Sequence, residues 1–358
     1  MFASFVFEKS SAEYTEKVML IDSDNLNGEL CYSEYFAAHG FQVLRYENDL
    51  QFRAECDEAI FGKGKYAVLV KENVYIPYDI RRRFNIVRVS LANLFPKLNA
   101  TAIKNFPRMN YDLLCMAYKN NFSDLTDEAK TLDFIKSKVF EKANVEAYIQ
   151  KCIRDLHKAA STAQNYMDWC RISNLKATID ILVTEYELPA TTDDINQSFI
   201  EWVLKSFGKL SSTMSKNTPV IVSSAMEFMR DKSSKFVIIV MDGMSQFDWI
   251  ILSSSFSSLV YQKTEMFSMI PTTTSVSRQC LLSNKLPIQL VSPWSQSKEK
   301  SEFIDCAMNL GYTSDQIGYE RGYNADFGMS IKCGAVIINE IDDTIHSQGQ
   351  GRLGMLND

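Results

Sequence analysis

The sequence predicts an α/β protein built on parallel sheet, and three observations carry that prediction. Phe236-Val-Ile-Ile-Val-Met241 is an unbroken apolar run that ends at Asp242-Gly243. Such a run, rich in β-branched residues and closed by a turn signal, is the pattern of a strand buried on both faces of a parallel sheet. Over the first hundred or so residues, strand-like and helix-like stretches alternate across short connections, which favours a parallel α/β layer. The composition, 46% hydrophobic and 23% charged over 358 residues, is that of a globular chain long enough for two or three domains.

Residues 1–107 read as an N-terminal α/β domain. Val18-Met-Leu-Ile21 predicts a strand ending at Asp22-Ser-Asp24, and Glu29 to His39 a helix stopped by Gly40. Phe41-Gln-Val-Leu44 is a second strand, and Asp49 to Phe61 a second helix closed by Gly62. Tyr66-Ala-Val-Leu-Val70 and Ile86-Val-Arg-Val89 complete the layer. Asp22 and Asp24 are expected in turn and capping roles, and Arg81-Arg-Arg83 on a solvated face.

Residues 108–232 read as a helical linking domain. Val145, Ile149, Cys152, Ile153, Leu156 and Ala160 form one stripe at helical spacing, with Asn144 as N-cap and His157 exposed beside it. Asp194 and Gln197 have capping-box spacing, and the Ser211–Ser215 stretch punctuates the end of the block. Residues 233–358 return to α/β. The Phe236–Met241 strand is followed by a helix over Trp249–Leu259 and a short strand, Met266–Ile270. A helix beyond Pro271 ends at Asn284, and Ala335–Ile341 is the last strand.

Composition also excludes some functions. A net charge of −6 provides no global basic field for nucleic acid or anionic lipid. No apolar stretch approaches the ~20 residues of a membrane span. Met1–Phe7 is too short for a signal peptide and has no basic leader. Eight cysteines, none in a Cys-x-x-Cys pair, argue for buried thiols and a cytoplasmic location.

Three stretches carry chemistry. Asp242 stands beyond a strand end, where open α/β sheets place their ligands. Pro271-Thr-Thr-Thr-Ser-Val-Ser-Arg278 packs hydroxyls at a strand-to-helix turn, where unpaired N–H groups and the helix dipole favour an alkoxide or a phosphate. Asp342-Asp-Thr-Ile-His346, if helical, places Asp342 and His346 on one face as a pair suited to Zn²⁺ or Mn²⁺.

With these words in this order, the chain resembles the PglZ domain, a branch of the alkaline phosphatase superfamily. The matching stretches are Val-Met-Asp-Gly-Met-Ser (240–245), Ile-Pro-Thr-Thr-Thr-Ser-Val-Ser-Arg (270–278) and Asp-Asp-Thr-Ile-His (342–346). The resemblance covers the last third, and the rest is more loosely similar to PglZ proteins of BREX-type phage defence. It implies two divalent ions, Zn or Mn. Asp242 and the nucleophile Thr274 would ligate one, and Asp342 and His346 the other. Thr272 is the second choice of nucleophile. Arg278 would hold phosphoryl oxygens, and a phosphothreonine would form and be hydrolysed. The implied substrate is a phosphate ester or nucleic acid. The implied partners are other defence proteins, such as a DNA methyltransferase.

The family pattern also calls for a further Asp-His pair and a final histidine, whereas residues 347–358 contain none. The expectation is an incomplete metal site in a truncated chain, with a loose Ser347–Gly354 tail. A non-catalytic scaffold that binds partner proteins is the alternative.

Overall fold

The computed structural model describes residues 1–347 except 122, 211, 214–218, 257, 258, 260 and 262, and leaves out the side chain of Glu29. The Ser347–Gly354 tail, apart from Ser347, and most of Ser211–Ser215 therefore lie outside the described residues. Among those described, the chain is α/β with parallel sheets and forms two compact units, Met1–Tyr148 and Ile149–Asp358. No described helix is long and apolar enough to cross a membrane.

In the first unit, β1 (Lys17–Asp22), β2 (Gln42–Tyr46), β3 (Tyr66–Lys71) and β4 (Asn85–Val89) form a wholly parallel sheet in the order β2-β3-β1-β4. Position follows from residue type. Central β1 and β3 are apolar through their middles, with Val18, Met19, Leu20, Ala67 and Val68 buried. The edge strands carry the polar Gln42 and Arg45, and Asn85 and Arg88. Asp22 accepts from the backbone of Leu26 (2.9 Å) and Asn27 (2.7 Å), and Asp24 from Leu91 (2.7 Å), the turn and capping roles expected of them.

Several boundaries differ from the sequence reading. The Glu29–His39 helix is two pieces, Leu26–Leu30 and Ser33–Ala38, parted at Cys31, whose φ of +47° cannot continue a helix. The Asp49–Phe61 helix is likewise two, parted at Cys56. Phe2–Lys9 is helical and buries Phe2, Phe5, Val6 and Phe7, an element not foreseen. Asn144 is not an N-cap: its helix begins at Lys142, and the Asn144 amide donates to the Val139 carbonyl at 2.7 Å. His157 is exposed, 3.4 Å from Asp194.

The second unit holds β5 (Phe236–Met241), β6 (Ile317–Arg321) and β7 (Cys333–Ile338), parallel in the order β5-β7-β6. β6 escaped the sequence reading because Ile-Gly-Tyr-Glu-Arg has no apolar run. Phe236 and Val240 alternate with the strand period, as do Cys333, Ala335 and Ile337. They share a core with Leu282 of the Thr274–Ser283 helix and with Phe303 and Ala307 of the Glu299–Asn309 helix. The opposite face of β5 is open, with Val237 44% and Ile239 62% exposed. The strand is therefore buried on one face rather than two, because those helices pack on one side only.

Three further expectations are corrected. Met266–Ile270 is not a sheet strand; Phe267 makes one isolated bridge with Ile221. The last strand stops at Ile338, and residues 340–347 are helical. The helix expected over Trp249–Leu259 spans Gln246–Ser253, with Ser245 and Asp248 forming a capping box at its start.

Candidate functional site at the carboxyl rim of β5 and β7

β5 and β7 run in register, with Met241 beside Ile338, so Asp242 and Asn339 leave the sheet together. The Asp242 backbone N–H still bonds to the Ile338 carbonyl at 2.8 Å. The next residue must be glycine for two reasons. Gly243 has a φ of +73°, and a Cβ there would lie 3.0 Å from the Asp342 Cα. That close approach seats the first turn of the Glu340–Ser347 helix against the turn after β5.

The Thr274–Ser283 helix brings the third segment. It begins at Thr274, with Thr273 in the N-cap position making no side-chain cap bond. Thr274 is half-buried, whereas Thr272 and Thr273 are exposed. One turn on, Arg278 shares the Thr274 face and is 4% exposed. Its Nη1 donates to Asp242 Oδ2 at 2.8 Å and to Asn339 Oδ1 at 3.2 Å. Its Nη2 donates to Glu299 Oε1 at 2.6 Å. Glu299 is fully buried and also accepts from the Tyr319 hydroxyl and, at 3.3 Å, from Arg321 Nη2.

Burial opposes the charge on Arg278, but the carboxylates of Glu299 and Asp242 outweigh it and hold the guanidinium above its ordinary pKa. Burial, reinforced by Glu299, raises the Tyr319 phenol, so that side chain donates as a neutral hydroxyl. Arg278 Nε and Glu299 Oε2 have no hydrogen-bond partner in the structure.

Thus Asp242, Arg278 and, through Gly243, Asp342 meet at one rim. Thr274 stands a turn before Arg278 on its helix, and Thr272 stays in the exposed turn. Asp342 and His346 lie i, i+4 on one helix, with Nε2 and Oδ1 3.7 Å apart, and the His346 side chain is 78% exposed. A cation at Asp242 would sit against the Arg278 guanidinium. The donors therefore fit one divalent ion, at Asp342 and His346, better than two. Glu299, Asn339, Tyr319 and Arg321 escaped the sequence reading. A buried glutamate at the start of an ordinary amphipathic helix has no spacing signature that ties it to Arg278.

A scan against protein-family models returned no match for the chain, and a search of curated proteins found no relative.

Proposed function

We propose that the second unit carries a PglZ-type phosphodiesterase or phosphatase site belonging to a bacterial phage-defence protein. The observation that supports this reading most directly is the convergence of three distant segments on one sheet rim: Asp242-Gly243, the helix of Thr274 and Arg278, and the helix of Asp342 and His346. In this reading the Thr274 hydroxyl attacks phosphorus in line and the Oγ1–P bond forms. The bond to the leaving alkoxide breaks, and the threonine proton is passed to solvent. Water then hydrolyses the phosphothreonine. A divalent ion at Asp342 and His346 would supply neutralising charge for the phosphoryl oxygens. A phosphate ester or nucleic acid is the substrate, and other defence proteins are the partners.

A non-catalytic scaffold is the second reading, and the Arg278 network favours it. A guanidinium buried between Asp242 and Glu299 braces β5 to two helices. Hydrolysis of bis(p-nitrophenyl) phosphate with Mn²⁺ or Zn²⁺ separates the readings. The catalytic reading expects turnover that Thr274→Ala lowers at least about a hundredfold. Equal rates would remove Thr274 from the chemistry, and no turnover by either protein would leave the scaffold.

A further inference from the structure

A cleft of about 640 Å³ opens within the second unit, between the Tyr166–Glu185, Ile195–Leu210 and Gln246–Ser253 helices and residues 263–268. We propose that it binds the base of a nucleotide whose phosphate is presented at the Asp242 rim. The proposal rests on the phosphoester reading above and names its substrate class. Its size is that of small-ligand sites, which combine apolar walls with a few convergent polar groups.

The walls are aromatic: Trp169, Phe199, Trp249 and Phe267 line it. The Trp169 and Phe199 ring centroids are 5.1 Å apart, and the Phe199 and Phe267 rings stack at 6.0 Å. Aromatic faces of this kind stack on any base. The Trp169 indole N–H is buried without a hydrogen-bond partner in the structure, whereas most buried donors in proteins have one. A ring nitrogen or carbonyl of a bound base would supply its acceptor.

The polar side both donates and accepts. Asn174 Oδ1 accepts from Gln246 Nε2 (2.6 Å) and from Lys263 Nζ (2.8 Å), and its amide donates to Glu265. Lys263 is also 2.8 Å from Glu265. Of this network, Gln246, Lys263 and Glu265 line the cleft. Mixed donors and acceptors suit a base edge. Met244, Ser245 and Gln246 line the cleft directly after Asp242-Gly243. Four residues span at most about 14 Å, a distance one nucleotide bridges.

Calorimetric titration of the full chain with adenosine, cytidine and their 5′-monophosphates tests this, alongside the hydrolysis assay. Saturable binding of at least one nucleoside is expected. Trp249→Leu should weaken it about tenfold or more through lost stacking, and Glu265→Gln should change the preference between adenosine and cytidine. Glu265 is a surface-proximal side chain, so this second variant keeps the test open if Trp249→Leu fails to fold. Trp294→Phe, outside the cleft, should bind as the parent does. No nucleoside binding at millimolar concentration, or equal binding by parent and both cleft variants, overturns the proposal even where phosphoester hydrolysis is found. Nucleoside binding that is sensitive to the cleft variants without any hydrolysis keeps the cleft and removes the phosphoryl-transfer reading.

Discussion

Arg278 shows how one residue can be legible by type while its partners are not. The sequence marks it as an arginine one turn into a helix behind a run of hydroxyls, which suggests a clamp for phosphate. The structure directs its guanidinium inward to Asp242, Asn339 and Glu299. A buried charge that loses a partner costs far more than a surface pair contributes. Glu299→Gln should therefore lower the unfolding free energy by about 3 kcal/mol, toward the low end of such losses because Asp242 remains. The check is the urea midpoint at unchanged slope. A shift worth under about 0.5 kcal/mol, the range of ordinary surface substitutions, would show that the network is not structural.

Among the elements, the Thr274–Ser283 helix was the most readable, because its stop was written as Asn284 before Pro287. Asn284 adopts the left-handed conformation expected at such a stop, with a φ of +54°. It has a second role that no local pattern shows. Its Oδ1 accepts from the backbone N–H groups of Met226 (3.1 Å) and Glu227 (3.4 Å), in the first turn of the Ala225–Lys232 helix. Asn284→Gly keeps the backbone geometry and loses these bonds, so it should cost about 1 kcal/mol. Asn284→Ala adds left-handed strain and should cost about 2 kcal/mol or more. Thermal unfolding of the two variants checks the order, and equal losses would show that the side-chain bonds carry the whole effect. Elsewhere, helices were legible as regions but not as single pieces. Their breaks at Cys31 and Cys56 depend on how the chain packs, not on glycine or proline.

At the scale of the whole molecule, buried thiols occur in both units. Burial pushes Cys115 in the first unit, and Cys280 and Cys333 in the second, up to about 12 from an ordinary 9.0. Below pH 9 both folded and unfolded chains hold these protons, and the contribution to stability is complete. As pH rises from about 9 toward 12, the unfolded chain releases them first, so stability falls. The reduced protein should show a urea midpoint that decreases steadily across that window. At pH 8, iodoacetamide should label exposed Cys31 well before those three. A flat midpoint between pH 9 and 11 would refute the shared alkaline dependence.

Sequence by itself determined the α/β class, most of the parallel strands, the delivery of Asp242 to a strand end, and the helical spacing of Asp342 and His346. These follow from short-range periodicity and turn chemistry, which neighbouring residues settle between themselves. Tertiary structure alone decided that β5 is open on one face, that Gly243 must admit Asp342, and that Arg278 is held by Glu299 from twenty-one residues away. Burial and charge pairing depend on which distant segment arrives, and no local pattern encodes that arrival.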